Sequence, residues 1–362
     1  MSESTKAELS RLPEAVQKEL AENMAKRGTS APPVSKAQAP EKEADFKGKG
    51  VAAVPVDDLD VTALDISENA LVSLDGIGKL TNLVKLDANS CGLTKLPDEI
   101  ETCTGLQELL LFANKLKDPG ALTPKLGLLT ELETFNVFNN SAIKKIPVDI
   151  GKLENLVEVN AAANKLMMLT DDHFTKWSKV TILNLSDNNL VRMGSLAPLV
   201  SLEELRISGN NLEEMPALSQ HPALNTLEIH KNRIASIPTE YFTATPALQR
   251  LRLDANQLAE LPDSLRTCAA LVGVQAQENP KLSTIPAGKW PDTLETLFLY
   301  AAAAAPFVLP PTLSDLSALK RVNLTNLTLD DASAAVAEAM KKRCLSDKDG
   351  IFWGFDGVKT TQ

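Results

Sequence analysis

Apolar residues recur along this chain in a fixed frame of eleven residues, clearest at Leu248–Leu258 (LQRLRLDANQL), with aliphatics at positions 1, 4, 6 and 11 and asparagine at position 9. The frame opens at Val61, Leu83, Leu106, Leu132, Leu156, Val180, Leu202, Leu224, Leu248, Leu271, Leu294 and Leu319, at steps of 22 to 26 residues. Alternation over positions 3 to 7 predicts a short strand with aliphatics on one face and positions 3, 5 and 7 on the other. A unit this short cannot bury its apolar face alone, so successive copies have to stack. Asn69, Asn114, Asn140, Asn164, Asn188, Asn210, Asn232, Asn256 and Asn279 take position 9, where an amide side chain bridges backbone groups that a turn leaves unpaired. The units at Asn140 and Asn279 have one extra residue before the closing aliphatic, and Ala301 to Ala305 replace the expected asparagine and leucine of the unit opening at Leu294.

The return path of each unit reads differently. Leu96-Pro97, Ile146-Pro147, Ile237-Pro238, Leu261-Pro262 and Ile285-Pro286 exclude a continuous helix there, which predicts turns, short helical pieces and extended stretches. This frame resembles the leucine-rich-repeat superfamily over roughly residues 55–345. It resembles cytoplasmic arrays such as the plant intracellular Ras-group-related proteins, Ras-binding scaffolds and the repeat-built regulatory subunit of protein phosphatase-1. The resemblance implies an α/β repeat solenoid: a horseshoe of about 12 repeats with a parallel concave sheet and a convex side of mixed turns and short helices.

The flanking segments divide the rest of the chain. Leu9, Leu12, Val16, Leu20 and Met24 predict an amphipathic helical arm over residues 1–28, and the Pro- and Lys-rich stretch 29–50 predicts a flexible linker. The solenoid, with its N-terminal cap in residues 51–60, is expected over 51–329. Residues 330–362 hold a capping helix, acids first and bases last to match its dipole, and an aromatic tail of Ile351, Phe352, Trp353 and Phe355. The helix is expected to cover the last strand's edge.

Charge and cysteines narrow the function class. A net charge of −10 with both signs interspersed offers no basic face for nucleic acid. No apolar run reaches 18 residues and the N-terminus has no apolar leader, so neither membrane insertion nor secretion is expected. Cys91, in an asparagine slot, and Cys103, Cys268 and Cys344 are scattered, which predicts reduced core thiols and a cytoplasmic, reducing location.

Catalytic chemistry finds no footing. His173, His221 and His230 lie in different units, with no H-x-x-x-H or C-x-x-C spacing, and Gly76 to Thr81 lacks the spacing of a phosphate loop. We therefore expect no catalytic residue, no cofactor and no metal. What remains is the face formed by positions 5 and 7. Leu110, Phe112 and Phe138 are expected there as one exposed apolar patch and Phe298 with Tyr300 as another, in a chain with only 4% aromatic residues. Between them Arg206, Glu228 and Arg252, with His230, alternate in sign, either to stabilise the sheet or to set the register of a charged partner. Cover by the chain's own arm or tail is the competing reading of the patches. The expected function is a non-enzymatic scaffold binding a protein partner through the concave face. The alternatives are a structural subunit of a large multiprotein assembly held by the arm and solenoid ends, or, by resemblance, a regulatory subunit in a phosphatase or small-GTPase pathway.

Overall fold

The computed structural model describes residues 42–353 apart from Ser141 and residues 301–305. The predicted arm, most of the predicted linker, the alanine run and Phe355 lie outside the described residues. In chain order the strands are β1 Glu43–Asp45, β2 Ala63–Asp65, β3 Lys85–Asp87, β4 Glu108–Leu110, β5 Thr134–Asn136, β6 Glu158–Asn160, β7 Met168–Leu169 and β8 Ile182–Asn184. They continue as β9 Arg192–Met193, β10 Glu204–Arg206, β11 Thr226–Glu228, β12 Arg250–Arg252, β13 Gly273–Gln275, β14 Thr296–Phe298, β15 Arg321–Asn323 and β16 Ile351–Trp353. Fourteen of them form one parallel sheet in sequence order, and β7 pairs with β9 in a small second sheet. This is a solenoid.

Each frame contributes positions 3 to 5 as its strand, and like positions lie opposite like: Leu205 faces Leu227, and Leu227 faces Leu251. Because the register never slips, the aliphatics of positions 1, 4, 6 and 11 stack in continuous columns. Leu183, Leu205, Leu227 and Val274 are fully buried within them. Each such side chain contributes about 1.5–3 kcal/mol of hydrophobic stabilisation.

The turn after each strand has two recurrent devices. Position 8 is left-handed in every described unit, with φ between 52° and 63° at Glu68, Ser90, Ala113, Asn139, Ala163, Asp187, Lys231, Ala255, Glu278 and Asn326 and at Gly209. Position 9 then bridges neighbours: the Asn188 amide donates to the carbonyls of Ala161, Leu185 and Ser186, while its Oδ1 accepts the Leu166 N–H. The thiol of Cys91 takes over the donor part, reaching the Ile66 carbonyl at 3.1 Å. On the convex side, prolines set up single helical turns at Asp98–Thr102 after Pro97, Val148–Lys152 after Pro147 and Asp263–Thr267 after Pro262.

The ends differ from expectation. Residues 42–50, expected in a flexible linker, build a partial repeat instead: β1 pairs in register with β2, and Asn69 Oδ1 accepts the Gly50 and Val51 N–H groups. Ala44 and Phe46 pack on the core, giving this short stretch the apolar anchor that its composition obscures. At the other end the helix α1, Asp331–Ser346, forms as predicted, with Asp330 Oδ1 capping the Ser333 N–H at 2.7 Å. The last edge, however, belongs to β16: the tail residues Ile351–Trp353 add a fourteenth strand beside β15, because a parallel edge still offers unpaired backbone groups that the helix does not reach.

Candidate functional site

The strands of the inner face differ in what stands at position 5, which on β4 is Leu110. On β2, β3, β5, β6, β8 and β15 it is Asp65, Asp87, Asn136, Asn160, Asn184 and Asn323, and in each the side-chain oxygen accepts the backbone N–H of position 7 at 2.9–3.2 Å. A short acceptor two residues back closes an Asx turn over an N–H that the ladder leaves at the strand's end. These side chains are parts of the sheet. From β10 to β14 position 5 becomes Arg206, Glu228, Arg252, Gln275 and Phe298. None of these is a short Asp or Asn acceptor of the kind that closes the turn over position 7. All five are half-buried. A contiguous run of five strands thus presents long, chemically varied side chains.

The first expected patch is not an exposed one. Leu110 is 3% exposed and Phe138 6%, while Phe112 is half-buried. Strands about 4.8 Å apart bring bulky neighbours on β4 and β5 into mutual cover, which alternation along one strand does not reveal. Phe298 and Tyr300 are half-buried, and Phe298 meets Trp353 edge to face with ring centroids 5.7 Å apart. The tail strand therefore shields one side of the second patch.

The charges behave as neighbours in register, Arg206 beside Glu228 and Glu228 beside Arg252. Two carboxylate partners nonetheless come from the arginines' own repeats: Glu204 at 2.6 Å from Arg206 and Asp254 at 3.3 Å from Arg252. His230 sits below them, 8% exposed, and its Nδ1 has no partner among the described residues. Burial, reinforced by the Arg252 charge, lowers this imidazole to about 4, with Asp254 pulling the other way, so the ring is neutral at neutral pH. Gln277 Oε1, on the strand end after Asp254, is likewise buried and unpartnered. Burial, followed by the charges of Glu278 and Asp254, raises the Tyr300 phenol. Sequence reasoning found Arg206, Glu228, His230, Arg252, Phe298 and Tyr300. It passed over Gln275, whose signal is the loss of Asp or Asn from position 5, and Gln277 two residues on.

At the opposite end the same face is acidic. Glu43, Asp45, Asp65, Asp87 and Glu108, with Lys85 and Leu110, line a shallow depression of about 340 Å³. Among the described residues no group of three His, Cys, Asp or Glu is placed to hold a metal, and no helix is long and apolar enough to cross a membrane. Burial pushes all four thiols, Cys91, Cys103, Cys268 and Cys344, up to about 11.

Comparison with known proteins agrees with this architecture. Residues 154–212 match the family model described as leucine rich repeat. Over 152 residues, 39% of this chain, the sequence is 32% identical to "Probable serine/threonine-protein kinase pats1" of Dictyostelium discoideum, of which it spans 5%. The kinase name belongs to that far longer protein. A leucine-rich-repeat protein of Leptospira interrogans superposes with a TM-score of 0.60 at 24% identity, over 81% of this chain and 86% of its own. A plant peptide hormone receptor, solved as a complex, gives 0.56 at 20% identity over 84% and 57%. These two likenesses are of fold. Frame, asparagine ladder and sheet together give the chain the leucine-rich-repeat fold.

Proposed function

We propose that the chain is a non-enzymatic scaffold that binds a protein partner on the inner face of β10–β14, with Arg206, Glu228, Arg252, Gln275, Phe298 and Tyr300 making the contacts. The single observation behind this reading is the change at position 5, where short Asx caps give way to five consecutive strands of long, dissimilar side chains. Side chains spent on closing turns are unavailable to a partner; those that replace them set specificity. A broad curved sheet suits a protein or an extended peptide better than a metabolite, which needs an enclosing pocket. The leucine-rich-repeat fold supports protein interaction in general, and the plant receptor of similar fold is named for a peptide hormone. Phe112 extends the same face toward β4, where Leu110 and Phe138 are buried. Four buried free thiols fit a cytoplasmic, reducing location.

Photo-crosslinking tests the assignment. A benzophenone amino acid placed at Gln275 or Arg252 is expected to trap partner in cell extract, whereas the same group at Glu154 or Lys176 on the convex side traps none. Trapping from the convex positions alone, or undiminished capture by an Arg206→Glu, Arg252→Glu, Tyr300→Ala variant, would overturn it.

A further inference from the structure

The two residues that follow the closing aliphatic of each unit form a ridge along one flank of the solenoid, where β7 and β9 pair Met168 with Arg192. From the unit opening at Leu83 to the one opening at Leu248, the ridge is Thr94-Lys95, Lys117-Asp118, Lys144-Lys145, Met167-Met168, Val191-Arg192, Glu213-Glu214, Ala235-Ser236 and Ala259-Glu260. It is basic at one end, apolar in the middle and acidic at the other. Met167, Met168 and Val191 are 59%, 57% and 46% exposed, an apolar cluster on adjacent turns rather than scattered single residues. Lys144, Lys145, Glu213 and Glu214 are exposed. Nothing within the described residues forms an ion pair with any of these four.

We propose that this ridge is the interface of a two-fold dimer, its occupant a second copy of the same chain laid antiparallel. A two-fold axis demands that if residue i of one copy meets residue j of the other, then j also meets i. An axis between the Met167-Met168 and Val191-Arg192 steps satisfies this with complementary chemistry at three of the four pairs of steps, the exception being Lys117-Asp118, which falls on the uncharged Ala235-Ser236. Lys144 and Lys145 fall on Glu213 and Glu214, Met167 and Met168 on Val191 and Arg192, and Lys95 on Glu260. The spans match because each unit advances by about the same interstrand step, near 4.8 Å. Shape agrees with charge. Beside Val191 lies a notch of about 230 Å³ bounded by Met193, Leu212, Glu213, Met215 and Pro216, and the same axis brings the other copy's flexible methionines over it. A uniformly anionic partner, such as a lipid surface, would be repelled by the Glu213-Glu214 step that the second copy uses. The ridge lies on the flank of the solenoid, so the dimer leaves the inner face of each copy open.

Sedimentation equilibrium of the full chain, taken to about 100 µM to exceed the weak end of standard interfaces, tests this. A dimer is expected, weakened by raised salt. Lys144→Glu with Lys145→Glu, and separately Glu213→Lys with Glu214→Lys, are each expected to weaken it about tenfold or more by setting like charges opposite one another. Mixed in equal amounts, these two variants carry complementary ends and are expected to recover association as a heterodimer. Unchanged circular dichroism separates the effect from misfolding. A chain monomeric throughout, a dimer that neither reversal weakens, or two variants that fail to rescue each other would overturn the proposal. So would a monomer that sediments with phosphatidylcholine vesicles containing phosphatidylserine, which would make the ridge a lipid surface.

Discussion

Asn188 Oδ1 accepts the backbone N–H of Leu166 at 2.9 Å, tying each turn of the array to the one before it. Asn164 occupies the same slot one unit earlier and donates to Val137, Ala161 and Ala162 in the same way, yet its own Oδ1 has no partner among the described residues. The extra residue after Asn140 accounts for the difference: the Ala142 N–H turns back to the Asn140 carbonyl at 2.7 Å instead of reaching forward. Asn188→Ala is therefore expected to cost about 1–3 kcal/mol more than Asn164→Ala, since it alone strands a buried N–H. Urea unfolding of the two variants measures it, and equal losses would show that the Oδ1 bond contributes nothing.

Ala163 is the position-8 residue of its unit, at φ 54°. A side chain there carries the Cβ clash of the left-handed region, about 1–2 kcal/mol, which glycine escapes at an entropic cost of roughly 0.5–1 kcal/mol. Ala163→Gly is expected to stabilise the array by about 0.5–1 kcal/mol. Gly209→Ala should destabilise it by more than that gain, because a Cβ there falls 2.3 Å from Asp187 Oδ1. A thermal-melt comparison in which Ala163→Gly lowers the midpoint would contradict the assignment.

The solenoid was legible in the sequence because Leu248, Leu251, Leu253 and their counterparts serve only packing, so the same residue types return wherever the geometry does. The left-handed position 8 was not, since Glu68, Ala113, Asp187 and Lys231 share no chemistry and only Gly209 advertises its conformation. The concave face was half legible. Alternation placed Leu110 and Phe138 on it, but their exposure depends on neighbours on flanking strands, and that is a property of the sheet. The asparagines at 136, 160 and 184 looked like solvent-facing residues, whereas each closes its own strand. The edge strands β1 and β16 lie outside the eleven-residue frame that marks the others, and only pairing reveals them.

His230 makes stability depend on pH. Its imidazole titrates near 4 in the folded chain and near 6.5 when unfolded, so between those values the unfolded chain binds more protons. The contribution is fully present above about pH 6.5 and is lost as pH falls toward 4, on the order of 3 kcal/mol in all. His221, also lowered by burial, adds in the same direction. The urea midpoint of the native chain should fall between pH 7 and pH 4.5, and His230→Gln should flatten that slope. A slope unchanged in this variant would assign the acid sensitivity elsewhere.

Trp353 holds the C-terminal edge. Its ring stands at 83° to Phe298 across the intervening β15, its carbonyl accepts the Leu324 N–H at 3.1 Å, and it is 41% exposed while Trp177 and Trp290 are 1% exposed. The edge strand is also held by Phe352 against the core and by its ladder to β15, and an aromatic pair of this geometry adds about 0.5–1.5 kcal/mol beyond the area it buries. Trp353→Ala should therefore fray β16 first, and hydrogen exchange should quicken at Leu324 while Leu205 and Leu227, deep in the array, keep their protection. The loss also uncovers Phe298, so a partner seated on β10–β14 should meet a wider apolar surface and bind the variant at least as well as the native chain. If binding instead falls with the fraying of the edge, the tail strand is itself part of the contact, and the inner-face site extends from β14 through β16.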